Sequence, residues 1–349
     1  MGYSVREADI RKDKETLLSI LRFNRNRPEF PYEERHEWLY FNNPYGPATA
    51  WIIWDDKNEY PAGFTAVYPR KMLLNGAEYT CWNCGDFSIE KKYRTLGIAI
   101  QLRKEAKRHV DEGRIPFLYA HPNNQMVQIH LKVQHKEIGH MKRYVLPLRV
   151  SNYLKDNHLG KMAGLVLDPI VAGMIKFKFR KSGEYENLPK EKMEFNGQYR
   201  ALSEEINAAY PVLGLRDEKY LTWKFKNHPI YNYELFNYYE KGKLIGYILY
   251  YENSQILNIT EFVCIPDRRV QQNLLSTLIN YCVRTKTNIC NISTVTQEYN
   301  PVIPVMKHNG FKFRDDATSS VIAYSADPEL KAVVEDGRKW FMNVGDRDG

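Results

Sequence analysis

Asp86-Phe87-Ser88-Ile89-Glu90-Lys91-Lys92-Tyr93-Arg94-Thr95-Leu96-Gly97-Ile98-Ala99 joins a strand-like stretch, through a basic turn, to an amphipathic helix. Apolar residues then follow at helical spacing, at Ala99, Leu102, Ala106 and Val110. The free N–H groups of a first helical turn, together with the helix dipole, favour an anion. Gly97 and Ala99 lack bulk where a diphosphate would approach the backbone, and Arg94 can add a charged donor. The segment therefore predicts an anion-binding turn.

The order Arg94-x-x-Gly97-x-Ala99 after a strand resembles the acyl-CoA pyrophosphate loop of the GNAT N-acetyltransferase family. The resemblance implies that acetyl-CoA binds here as a co-substrate. It also implies which residues of the strand end and the loop contact it: Phe87, Ser88, Ile89, Arg94, Thr95, Leu96, Gly97, Ile98 and Ala99. The alternative interpretation is an ordinary strand-to-helix connection with a solvated Arg94.

Length and composition limit the number of domains and the classes of partner that the chain can have. A chain of 349 residues suggests two or three domains, and a hydrophobic content of 43% predicts folded cores. The net charge of +8 suits an anionic cofactor or substrate, but nucleic acid or an anionic membrane surface would fit equally well. Charge therefore does not decide the function.

The sequence also indicates the cellular compartment in which the chain is expected to fold. No apolar run reaches the length of a membrane span, and the N-terminal residues lack the apolar core of a signal peptide. The five cysteines are scattered, which predicts no disulfide framework and fits a reducing, cytoplasmic location. Cys81-Trp82-Asn83-Cys84 has the spacing of half a zinc site, but no second pair follows. We interpret it as part of a strand and expect no metal.

One order of elements occurs twice along the chain. Trp38 precedes Pro44 by six residues, and Trp223 precedes Pro229 by six. In each copy a hairpin, a strand leading into a helix, a further strand, a second helix and a final strand follow. The predicted strands are 48–54, 63–68, 116–120 and 140–148 in the first copy, and 233–239, 245–251, 257–265, 288–294 and 311–324 in the second.

This repeat predicts an α/β (α+β) fold of two GNAT-like mixed-sheet sandwich domains in tandem. We divide the chain into an acetyl-CoA-binding domain at 1–149, a connector at 150–204, a second domain at 205–326 and a C-terminal tail at 327–349. In the second copy, residues 266–273 take the place of the loop without any glycine, and we align Gln271 with Gly97. We therefore expect the second domain to have lost CoA binding and to complete the substrate cleft.

Further site residues follow from the same resemblance. Asn123 matches the family's asparagine, which implies a hydrogen bond to the pantetheine arm. The family's tyrosine, the general acid on the departing thiolate, corresponds to His130, and an imidazole can donate a proton near neutral pH. His121 is the second candidate for this acid. Each histidine can instead be a surface or capping residue.

Transfer to an amine also needs a deprotonated amine and a stabilised oxyanion. Backbone N–H groups around 87–89 can serve the oxyanion. Asp86 is the leading candidate for the base, with Glu90 and Glu78 as alternatives, although proximity alone can supply much of the rate. The aromatic residues of 30–45 are expected to border the acceptor cleft, except for those that pack in the core.

These residues together predict a cytoplasmic N-acetyltransferase that moves an acetyl group from acetyl-CoA to a small primary amine. The plan, including an ending with aromatic residues before Gly345-Asp346, resembles bacterial members associated with surface polysaccharide synthesis, which implies an amino-sugar acceptor. Two alternatives stay open: a Fem-like aminoacyl-tRNA-dependent transferase and a non-catalytic CoA-binding protein. The diphosphate loop argues against the first, so we expect no nucleic-acid partner. The histidine at position 130 keeps the second open.

Overall fold

The structure is a computed structural model and describes residues 2–149, 158–178, 193–286 and 288–347. Its strands are β1 (Tyr3–Glu7), β2 (Thr49–Asp55), β3 (Tyr60–Leu74), β4 (Ala77–Ile89), β5 (Leu118–Ala120), β6 (Lys136–Pro147), β7 (Val212–Gly214), β8 (Tyr233–Glu240), β9 (Lys243–Asn253), β10 (Ile256–Cys264), β11 (Asn291–Gln297), β12 (Lys312–Tyr324) and β13 (Trp340–Phe341). Its α-helices are α1 (Lys14–Arg25), α2 (Tyr32–His36), α3 (Leu96–Asp111), α4 (Asn124–Lys132), α5 (His158–Lys178), α6 (Gly197–Asn207), α7 (Glu218–Leu221), α8 (Arg268–Thr285), α9 (Ile303–His308) and α10 (Pro328–Val334).

All these strands belong to one mixed sheet, in the order β1-β2-β3-β4-β5-β12-β6-β11-β10-β9-β8, with β7 joined to β3 and β13 joined to β7. Apart from β1, which has no counterpart, this order is symmetric about the central pair of β12 and β6. In each copy the strand before the long helix pairs in parallel with the strand after it, β4 with β5 and β10 with β11. The mixed α/β fold that the sequence predicts is confirmed.

The two copies exchange their last strands. Strand β12, from the second copy, pairs antiparallel with β5 of the first, and β6, from the first copy, pairs antiparallel with β11 of the second. The two final strands also pair with each other. The copies therefore share one continuous sheet, a topology that the order of elements along the chain does not reveal.

The repeated tryptophans meet at the boundary between the copies. Trp38 and Trp223 lie on matching π-helical turns, Glu37–Phe41 and Thr222–Lys226. Their rings stack with centroids 4.7 Å apart, and each indole N–H donates to the other residue's carbonyl oxygen, at 2.9 and 3.0 Å. Stacking and paired hydrogen bonds together fix how the first elements of the two copies face each other.

Helix α3 packs as its apolar spacing predicts. Ala99, Leu102, Ala106 and Val110 are buried in one core cluster with the strands around β4. Arg103 departs from the expected polar face, because its side chain is buried, donates to Thr65 Oγ1 at 2.8 Å and lies over the Phe87 ring. Cys81 and Cys84 lie on β4 as buried residues that form no disulfide, and their place on this strand confirms their interpretation as strand residues.

The predicted division into domains stays a prediction, and the described residues add detail to it. Much of the predicted connector lies outside them. Helix α5 lies inside it, and helix α6 crosses its predicted end at residue 204. Tyr199, Leu202 and Ile206 of α6 are buried in the same core cluster as Leu17 and Leu39 of the first copy. In the described residues no helix is long and apolar enough to cross a bilayer.

The C-terminal tail runs back between the copies. Trp340 and Phe341 are buried, as the sequence predicts, and β13 pairs in parallel with β7. Beyond them, the carboxylate of Asp346 lies 3.3 Å from Arg70 Nη2 and 2.7 Å from Arg216 Nη2. Arg216 also pairs with Glu261, at 2.8 Å. We call Arg70, Arg216, Glu261 and Asp346 the central ion-pair cluster.

The electrostatics of this cluster are set by burial and by its arginines. Burial opposes the charge of Asp346, but the guanidinium groups of Arg216 and Arg70 outweigh it, so its pKa is lowered. Burial raises the pKa of Glu261 against the attraction of Arg216. The backbone of residue 345 also lies close to Glu261, since a Cβ at Gly345 would overlap the Glu261 carboxylate. This close approach is the physical reason for a glycine directly before Asp346.

We expect Asp346→Ala to lower the free energy of unfolding by about 3–5 kcal/mol, because it leaves Arg70 and Arg216 buried with too few counter-charges. Urea denaturation at neutral pH measures the change. Asp56→Ala is the control, since Asp56 pairs with Arg6 at the surface and should cost less than about 1 kcal/mol. Equal losses in the two variants would contradict the role of the cluster.

Candidate acyl-CoA site

Strands β4 and β5 diverge where the predicted loop begins. Their parallel pairing covers Trp82–Cys84 and Leu118–Ala120. Beyond it β5 ends, while β4 continues to Ile89 and carries a bulge opposite β3 between the pairs Phe64/Ser88 and Ala66/Gly85. Asp86 lies in this bulge with a φ of 35°, a backbone conformation that residues other than glycine rarely adopt. The divergence opens a gap in the sheet beside the predicted loop.

Helix α3 begins at the end of that gap. Thr95 is its N-cap and accepts from the N–H of Ile98, so the first turn points its remaining N–H groups outward. A Cβ built on Gly97 would meet no atom within 4 Å, which leaves open space above the turn. Arg94 donates to the Ile89 carbonyl at 2.9 Å and to Asn24 Oδ1 at 2.7 Å, and these bonds hold the loop against α1.

A cavity of about 540 Å³ fills the gap between these elements. Seven of the predicted site residues line it: Phe87, Ser88, Ile89, Arg94, Thr95, Ala99 and Asn123. Asn123 caps helix α4, where its side-chain oxygen accepts from the Met126 N–H at 3.0 Å. Leu96, Gly97 and Ile98 form the first turn of α3, and Gly97 and Ile98 are not among the described lining residues. The roles of all these residues in binding stay predictions.

Five further lining residues were not identified from the sequence: Asn24, Arg25, Gln125, Met126 and Ile129. Arg25 and Arg94 make the described lining cationic, with no carboxylate among its members. Met126 and Ile129 lie three residues apart on α4, a helical spacing that signals a shared face. Asn24 and Arg25 reach the cavity only through the packing of α1, for which the sequence holds no signal.

Asp86 is buried beside the cavity in a network of donors. Arg25 donates to its Oδ1 at 2.6 Å, and Arg35 to its Oδ2 at 2.7 Å. Tyr68 and Tyr40 donate to the same Oδ2, at 2.8 and 3.1 Å. Burial alone would raise the pKa of Asp86, but Arg35 and Arg25 outweigh it, so the pKa falls well below its usual range. Such a carboxylate is a weak base, and the predicted role in proton removal gains no support from its surroundings.

The alternative carboxylates lie away from the cavity. Glu90 is buried and accepts from the Tyr60 hydroxyl. Glu78 lies near the start of β4, where Arg200 pairs with it at 3.1 Å. Neither lines the cavity.

His130 lies on the inner face of α4 and does not line the cavity. Its Nδ1 is 2.9 Å from Nδ1 of His135, whose ring stacks on Tyr324. Burial, with a contribution from Arg103, holds the pKa of His130 well below its ordinary value, so its ring is neutral. The predicted role as the acid stays a prediction, and the position of the ring does not support it.

In the second copy, an acidic side chain caps the N-terminus of the corresponding helix, α8. Asp267 is the N-cap of α8 and accepts from the N–H groups of Arg269 and Val270, at 2.7 and 3.3 Å. Aligning the two caps matches Gly97 with Arg269, so the predicted alignment of Gly97 with Gln271 is wrong by two residues. A carboxylate at this point repels a diphosphate, whereas the hydroxyl of Thr95 does not.

Comparison with known proteins gives the class of fold. No protein-family model and no curated protein sequence matches the chain. A GCN5-related N-acetyltransferase from Anabaena variabilis is 14% identical with a TM-score of 0.65, over 93% of this chain and 73% of that one. A probable N-acyltransferase from Enterococcus faecalis is 12% identical with a TM-score of 0.62, over 96% and 73%. The N-myristoyltransferase of Saccharomyces cerevisiae, solved with myristoyl-CoA, is 11% identical with a TM-score of 0.57, over 93% and 80%.

These likenesses show that the chain has the GNAT fold. At such low identity they do not extend to substrate, and what the N-myristoyltransferase binds is a property of that protein.

We expect Asp86→Asn to be destabilising at neutral pH by about 3 kcal/mol, because Arg35 stays buried without its counter-charge. The folded-state pKa of Asp86 is lowered, so its contribution is complete above the ordinary value of 3.8 and is lost as the pH falls below it. The difference from the wild type should therefore shrink between pH 5 and about pH 2. Urea denaturation across this range measures it, with Asp56→Asn as a surface control. A constant difference would contradict the charged state of Asp86.

Proposed function

We propose that this chain is an N-acetyltransferase that moves an acetyl group from acetyl-CoA to a primary amine. The observation that carries the proposal is the cationic cavity in the gap between β4 and β5, which ends at the N-terminus of α3. A helix N-terminus with open space above Gly97 suits a diphosphate. The gap in the sheet suits an extended arm that leads from the diphosphate to a thioester.

In this proposal the diphosphate binds the first turn of α3, and Arg94 adds positive charge. Asn123 donates to the pantetheine arm from the opposite wall of the cavity. The amine nitrogen attacks the thioester carbonyl carbon, the C–S bond breaks, and the amine's proton leaves while the thiolate gains one. Backbone N–H groups at the β4 bulge, around Phe87–Ile89, stabilise the oxyanion.

We assign Asp86 a positioning role. Its carboxylate ties the bulge to Arg25 on α1, to Arg35 on α2 and to Tyr68 on β3. Holding the bulge rigid keeps its N–H groups aimed at the position where the oxyanion develops. Much of the rate then comes from holding the amine against the thioester.

The acceptor that we propose is an amino sugar, on the resemblance to bacterial polysaccharide-associated members. We place the activity in the cytoplasm, because none of the five cysteines forms a disulfide. The helix terminus that suits a diphosphate supports this reading over an aminoacyl-tRNA-dependent transferase, which does not need one.

Replacing Gly97 by aspartate tests the proposal. The added carboxylate suits a helix N-terminus but repels a diphosphate, so Gly97→Asp should bind acetyl-CoA at least about tenfold more weakly than Gly97→Asn. The two side chains have nearly the same shape, and the open space above Gly97 accepts either. The pair therefore isolates charge, and isothermal titration calorimetry measures both affinities.

Gly97→Asn takes up part of the space that the diphosphate would occupy, so it should bind acetyl-CoA more weakly than the wild type but more tightly than Gly97→Asp. Absence of acetyl-CoA binding by the wild type, or equal affinities in the two variants, would refute the proposed site.

A further inference from the structure

Arg103 is a buried cation beside the acyl-CoA cavity to which the proposed function gives no role. Its side chain is 1% exposed, and its Nη2 donates to Thr65 Oγ1 at 2.8 Å. Nε and Nη1 are shielded from solvent, and neither has a hydrogen-bond partner in the described structure. Among the described residues no carboxylate forms an ion pair with Arg103. A guanidinium keeps its proton in proteins, so this is a permanent buried charge without a counter-charge, which calls for an explanation.

This charge lies next to the wall of the acyl-CoA cavity. The guanidinium carbon is 5.3 Å from the centre of the Phe87 ring, and Phe87 lines the cavity. Along α3, Arg103 follows Ala99 by four residues, so it lies one helical turn from another residue of the lining. Its partner Thr65 lies on β3 opposite the β4 bulge. The charge therefore lies beside the gap between β4 and β5, without lining the cavity itself.

The two cations that do line the cavity are compensated. Arg25 pairs with the buried carboxylate of Asp86 at 2.6 Å. Arg94 is exposed, so water and salt screen its charge, and the proposed function assigns it to the diphosphate. In the described structure Arg103 has neither a paired carboxylate nor solvent around it. Its charge therefore acts over a longer distance than the charges of the other two arginines.

The cavity holds no ordinary proton donor for a departing thiolate. No histidine, tyrosine, cysteine, lysine or carboxylic acid is among its described lining residues. Burial and, after it, the charge of Arg103 lower the pKa of His130 well below its ordinary value. His121, the second candidate for the acid, lines a second cavity of about 450 Å³ between the copies, and burial lowers its pKa to about 3. Both rings are therefore neutral near pH 7 and are poor proton donors.

We propose that Arg103 stabilises the negative charge on the sulfur of the departing CoA, in place of an acid. The amine nitrogen adds to the thioester carbonyl carbon, and the C–S bond breaks with its electron pair on sulfur. The amine's proton passes to solvent, and the thiolate takes a proton from solvent after it leaves the site. Arg103 does not touch the sulfur: it is a positioning residue that acts through the field of its charge. The inference rests on the proposed function, whose cofactor binding the Gly97 variants test separately.

CoA and desulfo-CoA, the analogue that lacks the sulfur atom, form the matched ligand pair for the test. If the site favours a thiolate, CoA gains affinity as the pH rises from the pKa of the bound thiol to that of the free thiol, whereas the analogue does not. Isothermal titration calorimetry at about pH 7 and about pH 10 spans the ordinary pKa of a thiol. Between these values the affinity of CoA relative to desulfo-CoA should rise at least about fivefold in the wild type.

Three variants assign this gain to one charge. Arg103→Met keeps a long side chain without the charge, so the gain should fall below about twofold, whereas Arg103→Lys should keep most of it. Lys104→Met removes an exposed charge at the next position of α3, which water screens, and should leave the gain unchanged. Arg103→Met should also melt at the temperature of the wild type or higher, because it removes a buried charge that has no counter-charge.

Two results would overturn the inference alone: no gain in the wild type although CoA binds, or an equal gain in Arg103→Met. The first of these needs no variant, so it does not depend on how Arg103→Met folds. Loss of the gain in both Arg103→Met and Arg103→Lys, with lowered melting temperatures, would assign Arg103 to structure. Absence of CoA binding by the wild type would refute the proposed function, and this inference with it.

Discussion

The central ion-pair cluster is the interaction on which the functional surfaces depend. Arg70 belongs to a strand of the first copy, Glu261 to a strand of the second, and Asp346 to the tail. Because all of these charges are buried, each needs its partner, and the tail has little choice of position. Gly345 allows the backbone to approach Glu261, and Val344, Gly345 and Arg347 then line a cavity between the copies. An electrostatic constraint thus fixes the position of the tail.

Exchange of the final strands has a similar consequence. Strand β12 lies against β5, so the gap between β4 and β5 is bordered by a strand that comes late in the chain. The Trp38 and Trp223 pair fixes the two copies at a second place. The copies have also diverged where function needs it: Thr95 leaves the terminus of α3 open to an anion, and Asp267 fills that of α8. One copy therefore supplies the cavity to which we assign acyl-CoA.

The sequence predicted local features well because they depend on short-range patterns. The strand, turn and helix at 86–111, the repeated elements and the strand that carries Cys81 and Cys84 all follow from periodicity and spacing. Seven predicted site residues line one cavity for the same reason, since they lie within or just after these elements. Predictions were weaker where a side chain's direction matters. His130 has a spacing that suits catalysis, yet α4 turns its ring toward His135 and the core.

By itself, then, the sequence determined the mixed α/β class, the repeat and the strand, turn and helix at 86–111, because each depends on neighbouring residues. Only the tertiary structure decided which groups meet across long separations: Asp86 with Arg25 and Arg35, the tail with both copies, and His121 with Lys224 and Arg347. The buried arginine partners then keep Asp86 charged against the effect of burial, and burial keeps His121 neutral, which no spacing in the sequence encodes. Pairing and desolvation arise only when distant segments pack together.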